Sequence, residues 1–250
     1  MPDQPTSQPS GSTGKIARSA GAVSIAVMCS RVLGLIREQV FAGMFGAGFA
    51  YDAFVVAFRI PNLLRDLFAE GALSAAFVTV FTEYSSKRGA EDTWRLAGNV
   101  LVFFAVLISL LTLVGLYWAE PIVDLLAPDF AQVAGKSELT IKLTRIMFPF
   151  LLFVSLAAVV MGMLNTKGKF FVPAMSSTFF NVGSIIGGLS LAWLLPQFGQ
   201  PAIAGMAWGT LIGGALQLVM QLPTLFKVGF RFHPTFKLND PGLRRILLLM

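Results

Sequence analysis

Eight ionisable residues fall inside two otherwise apolar stretches. The segment "SRVLGLIRE" (30–38) carries Arg31, Arg37 and Glu38, and the stretch from 52 to 70 carries Asp52, Arg59, Arg65, Asp66 and Glu70. At the centre of a bilayer-spanning helix, such a residue costs about 2.5–3.5 kcal/mol, so eight facing lipid would nominally cost roughly 20 kcal/mol. A cost of that size requires the charges to face protein or water. Asp52, Arg59 and Asp66 recur every seven residues, with Asn62 three beyond Arg59 and Glu70 four beyond Asp66, which makes one polar stripe on a helix. Arg31 and Glu38 share a face at the same spacing, and Arg37 stands about 120° around from Arg31 on ideal geometry. Two readings follow. Arg37 with Asp52, or Arg59 with Asp66, could pair and lock two helices together. Alternatively Arg31, Arg37, Arg59 and Arg65 line a water-filled site, where planar guanidiniums grip phosphate oxygens in a fork. Glu38, Asp52, Asp66 and Glu70 would then gate or couple the site and keep it from being a permanent trap.

Other chemistries are poorly supplied. One histidine (His233) and one cysteine (Cys29) leave neither a zinc site nor a thiol–imidazole pair, nor an internal disulfide. No catalytic residue, metal or cofactor is expected, and the chain does not read as an enzyme. "FGAGFAY" (45–51) lacks the Lys and Ser/Thr of a phosphate loop and reads as a turn. The net charge of +6 sits in short loops between apolar runs, so nucleic acid is not an expected partner.

The elements that must hold these charges are membrane helices. Hydrophobic residues make up 55% of the 250-residue chain and charged residues 13%, against about 25% charged in soluble domains. The expected fold class is an all-α polytopic membrane protein. A span needs about 20 mostly apolar residues. Leu96–Trp118 and Ile146–Thr166 qualify, and "LPQFGQPA" divides a longer run into Phe170–Leu195 and Ala202–Phe226. Ile16–Phe45 and Ala53–Phe81 are the two charged spans, which brings the expected total to six. Pro61 should kink the second. Gly34, with Ser30, forms a small-residue pair suited to close helix contact; Pro61 and Gly34 are the candidate hinges. "PIVDLLAPDF" reads as a short interfacial helix. Residues 1–14, rich in Pro, Ser and Gly, read as a disordered tail. Residues 15–226 then form the six-helix lobe, and 227–250 a loop and the start of a seventh helix, as in the first part of a longer protein.

Together, "SRVLGLIREQVFAGMFGAG", "YDAFVVAFRIPNLLRDLFAEGALSAAFVTVFTEY", "LNTKGKFFVPA" and "QLVMQLPTLFKVGF" resemble the MurJ (MviN) family, bacterial lipid II flippases of the multidrug/oligosaccharidyl-lipid/polysaccharide exporter superfamily. The resemblance runs over about residues 16–250. It implies two six-helix lobes around a cationic cavity for the diphosphate and sugars of lipid II, worked by alternating access. It places the family's essential arginines at Arg31, Arg37 and Arg65, and its acidic positions at Asp52, Glu70 and, commonly, Glu38. Thr79 stands where the family usually has proline after "FV", and Ser177 where a fifth-helix proline is common. The implied partners are lipid II, membrane lipids, a second lobe absent from this chain and cell-wall synthesis proteins. The alternative cargo is another polyprenyl-linked glycan or amphiphile.

The implied location is the bacterial cytoplasmic membrane. With the N-terminus in the cytoplasm, twelve Lys and Arg lie in inside segments and three (Lys136, Lys142, Arg145) outside, as the positive-inside rule requires. Single cysteines placed at Lys87 or Lys167 in a Cys29→Ser background should therefore be shielded from impermeant thiol reagents added outside cells, while positions 46–51 and 197–200 label. Outside labelling at Lys87 would reverse the map.

Overall fold

Without water to receive backbone hydrogen bonds, an apolar run in a bilayer must close them internally as a helix, and helix dominates here. The structure, a computed structural model, describes residues 10–66 and 72–249, with side chains from 20 to 66 and from 75 onward, and no strand occurs among them. The first half contains α1 (Ser10–Phe45), α2 (Phe49–Arg65), α3 (Ala72–Lys87), α4 (Gly89–Tyr117) and α5 (Ala119–Leu126). The second half contains α6 (Lys136–Met147), α7 (Phe150–Thr166), α8 (Phe171–Leu194), α9 (Ile203–Val219), α10 (Leu222–Lys227) and α11 (Pro241–Leu249). Five described helical stretches are long and apolar enough to cross a membrane: 20–45, 89–117, 136–166, 171–198 and 203–227.

Several boundaries differ from expectation. The second charged span is found as two helices, α2 of 17 residues and α3 of 16, with 67–71 outside the described residues; the six-span count therefore rests on a segment only partly described. Pro61 is buried inside α2, which continues through it. α1 is described from Ser10, inside the expected tail. The fourth span begins ten residues before Ile146, because α6 runs almost into α7 and carries Lys142 and Arg145 within it. The sixth runs to Lys227 as expected, but it is broken within: Pro223 has no N–H for the carbonyl of Val219, and the chain continues as α10. The interfacial segment is helical as expected, with Val123 buried and Leu125 exposed, and "LPQFGQPA" turns through Gly199 at φ 69°.

Connections collect at two ends of the bundle. At one end Lys136 pairs with Asp52 at 2.8 Å, Lys142 hydrogen-bonds Gln200, and Ser137 donates to Asp124 at 3.3 Å. At the other, Lys167 donates to Ser85 at 2.7 Å, Arg245 to Glu83 at 2.6 Å and Asn99 to the carbonyl of Lys237 at 2.9 Å. There the hydrogen bond from Lys87, with Arg245 beside it, holds the Glu83 carboxyl below its ordinary pKa. Asp240 caps α11 by accepting from the amides of Gly242 and Leu243 at 2.8 and 3.0 Å. This grouping matches the alternation of inside and outside loops read from the charges.

An apolar cluster fills each end. Phe81, Trp94, Phe104, Met163 and Leu243 belong to one, and Phe41, Phe54, Leu143, Met147 and Met206 to the other. α8 and α9 form the tightest pair. A Cβ on Gly205, Gly209 or Gly213 would lie under 3.0 Å from the backbone of Ala192, Gly188 or Phe180 respectively. Glycines at this four-residue spacing let helix backbones touch where lipid supplies no hydrophobic drive for association. Gly209→Ala should therefore destabilise the protein by about 1–3 kcal/mol in thermal or denaturant unfolding, the usual range for overpacking. Gly43→Ala, where a Cβ meets nothing within 4 Å, should be close to neutral.

Candidate functional site

Between these two apolar clusters, beside a smaller one of Phe150, Val154 and Phe180, polar and apolar side chains mix. A cavity of about 520 Å³ is bounded by Ser30 of α1, Arg65 of α2, Phe150 to Met161 of α7, Ser176 to Asn181 of α8, and Gln217 and Gln221. Its level along the bundle follows from α7, since Met147 just before that helix belongs to one apolar cluster and Met163 near its end to the other.

The segment 30–37 delivers one face of α1 to α8. Ser30, Gly34 and Arg37 are spaced four and three residues apart and so lie on one side. The Ser30 carbonyl accepts from Asn181 Nδ2 at 3.0 Å, and a Cβ on Gly34 would sit 3.7 Å from the same amide. Gly34 is thus a point of helix contact. Arg37 follows one turn later. Its guanidinium carbon is 5.1 Å from the ring centre of Phe180 and 5.7 Å from that of Phe58, and its side chain is only 13% exposed. Cation–π contact of this kind is worth about 2 kcal/mol when desolvated. The Glu38 carboxylate lies at 3.8 Å and is largely exposed.

Arg65 lies on the cavity wall and is held by Asp66, which accepts from Nε at 3.1 Å and from an Nη at 2.7 Å. Arg31 and Arg59 are exposed and make no ion pair with the described residues. Glu70 lies outside the described residues.

Both expected locking pairs are absent. Asp52 pairs with Lys136 at 2.8 Å rather than with Arg37, because Asp52 opens α2 at the end of the bundle where α6 begins, whereas Arg37 is two helical turns back along α1. Asp66 is occupied by its neighbour Arg65 rather than by Arg59. The 120° offset of Arg31 from Arg37 has a structural consequence: Arg37 is tucked in and Arg31 is exposed.

The sequence reading missed the neutral half of the site. Asn181, Gln217, Gln221 and Ser176 each interrupt an apolar run, and that interruption was the available signal. Gln221 is 1% exposed; its Nε2 donates to the carbonyls of Gln217 at 3.1 Å and Ala157 at 3.3 Å, while its buried Oε1 has no partner among the described residues. A buried acceptor without a donor costs about 1–3 kcal/mol, so it has capacity left for a ligand N–H or O–H. No group of three or more His, Cys, Asp or Glu residues suited to a metal ion occurs among the described residues.

The family model for the lipid II flippase MurJ matches residues 41–250. The chain belongs to the MurJ family. It is 37% identical over 228 residues to a probable lipid II flippase MurJ of Buchnera aphidicola (subsp. Acyrthosiphon pisum), covering 91% of this chain and 44% of that protein. It is 38% identical to the probable MurJ of Vibrio cholerae, covering 94% and 46%, and 38% identical to the MurJ of Burkholderia cenocepacia, covering 91% and 44%. A solved MurJ structure in an inward closed conformation superposes with TM-score 0.70 at 30% identity, over 91% of this chain and 46% of that one. A transporter of the wider exporter superfamily from Pyrococcus furiosus shares the fold, with TM-score 0.62 at 16% identity. The chain thus spans under half the length of these MurJ relatives.

The geometry separates two pairs in this MurJ-family chain. In double-mutant cycles on unfolding, Arg37→Ala with Asp52→Ala should show coupling below about 0.5 kcal/mol, as for sites without a shared partner. Lys136→Ala with Asp52→Ala should couple by about 0.2–1 kcal/mol, the range for a partly exposed pair.

Proposed function

We propose that this chain is one lobe of a flippase that moves lipid II from the inner to the outer leaflet of the bacterial cytoplasmic membrane by alternating access. Arg37 and Arg65 are the central ligands for the cargo's diphosphate, and Arg31 and Arg59 complete the cationic lining against a second lobe. The observation that carries this reading is Arg65 on the wall of a cavity midway along an apolar bundle, with Arg37 tucked against Phe180, which lines the same cavity. A cation held away from water, as that of Arg37 is, is costly unless an anion joins it. Arg31 and Arg59 are exposed, and Asp52 is taken by Lys136.

The neutral side of the cavity complements this. Asn181, Gln217 and the unpartnered Oε1 of Gln221 suit the hydroxyls and amides of a glycopeptide headgroup. The undecaprenyl chain stays in lipid, and α1, the most peripheral of the five apolar helices with 6% of its apolar window buried, forms one post of the gap through which it passes. Glu38, Asp66 and Glu70 set the release side of the cycle, and Asp52 with Lys136 forms a latch at the outer end. The N-terminus is cytoplasmic.

Arg37→Lys separates charge from geometry, because Lys keeps the cation and loses the two-pronged donor. In the full-length protein reconstituted into vesicles, Arg37→Ala should abolish lipid II translocation and Arg37→Lys should lower it by about ten- to a hundredfold, the equivalent of one hydrogen bond to a charged group. Wild-type translocation by correctly inserted Arg37→Ala protein would rule out this phosphate site.

A further inference from the structure

A second, larger cavity lies outside this site. It has a volume of about 940 Å³ and is walled by α6, the start of α9, the turn after α8 and the start of α5. It sits at the end of the bundle that carries the outward loops, because Lys142 on its wall hydrogen-bonds Gln200 in the turn after α8. It also opens away from the cationic cavity. Leu139, Leu143 and Met147 of α6 pack toward Ala53, Phe54 and Ala57 of α2, whereas Glu138, Lys142 and Arg145 lie on the opposite side of α6, at helical spacing.

Four charges converge on this cavity: Glu120, Glu138, Lys142 and Arg145. Among the described residues none of the four forms an ion pair, and only Lys142 has a partner, the neutral Gln200. Two cations and two carboxylates beside one cavity, left unpaired with one another, form a surface complementary to a ligand that carries both signs. The remaining wall is apolar, with Ile146 and Leu211 and the half-exposed indole of Trp208. Trp208 lies near the start of α9, and an indole near the end of a span suits the headgroup zone of a bilayer. Opposite charges at the rim and an apolar wall running inward match a zwitterionic lipid.

We infer that this cavity is a binding site for a zwitterionic phospholipid of the outer leaflet. Arg145 and Lys142 take the phosphate, Glu138 and Glu120 take the primary ammonium, and one acyl chain lies along Trp208 and Leu211. The site is separate from the cargo cavity, and its occupant is a resident lipid of the surrounding membrane.

Native mass spectrometry of the detergent-purified protein, titrated with phosphatidylethanolamine and separately with phosphatidylglycerol, tests this. The protein should retain phosphatidylethanolamine several-fold more strongly. Arg145→Gln should weaken retention of both lipids by about tenfold, the loss of a hydrogen bond to a charged group. Glu138→Gln should weaken phosphatidylethanolamine alone and so erase the preference. Both residues are exposed, so the substitutions leave the core intact; Trp208→Ala, which removes the chain contact without touching charge, is the second probe and should weaken both lipids. Soluble phosphoethanolamine at the same concentration should not compete, because it lacks the chain. Equal retention of the two lipids by the unaltered protein, or retention unchanged by Arg145→Gln and Trp208→Ala, would overturn the assignment. Competition by soluble phosphoethanolamine would overturn the lipid as its occupant.

Discussion

The constraint on which the rest of the structure depends is the cost of holding a guanidinium inside an apolar bundle. Arg37 cannot lose its proton at any relevant pH, so the protein must supply it with surroundings. It does so with the faces of Phe58 and Phe180, a single exposed carboxylate, and a cavity next door. Two aromatic faces fix the position of the cation without neutralising it. A buried carboxylate in that place would have neutralised it and left little for a ligand.

The remaining architecture serves that arrangement. The glycine ladder of α9 brings its backbone against α8, which fixes the helix that carries Phe180 and Asn181. Asn181 in turn reaches the carbonyl of Ser30 and sets α1 at the rotation that turns Arg37 inward. The two apolar clusters close the bundle above and below, so the polar level between them is a defined pocket. α2 is tied at its start by Asp52 to Lys136 and ends with Arg65 held against Asp66. Each carboxylate of this helix thus has an assigned cation, and the position of each cation follows from the pairing.

Much of this was legible in the chain. Apolar runs of bilayer length locate the long helices, since the backbone has no other way to satisfy itself in lipid. The loop charges sort the connections into two sets, and the structure gathers the same two sets at opposite ends. The motifs in 30–81 point to the family that the comparisons identify. Boundaries were less legible wherever charge and helix overlap: Lys142 and Arg145 end a hydropathy run but lie inside α6, because a long amphipathic helix can leave the apolar layer without ending. Pro223 ended α9 where hydropathy alone ran on.

What the sequence by itself determined is the membrane class, the family, and the fact that eight charges must face something other than lipid. Those follow from composition and from one-dimensional spacing. Which charge meets which was decided only by the tertiary structure. A seven-residue period fixes the face of a single helix, but Arg37 and Asp52 lie on different helices, and the depth and rotation of α1 against α2 are set by contacts with third parties, Asn181 and Lys136. Likewise Asn181, Gln217 and Gln221 look like isolated polar residues along the chain. Only the packing of α7, α8 and α9 brings them to one wall, since their separations in sequence carry no information about their distance in space.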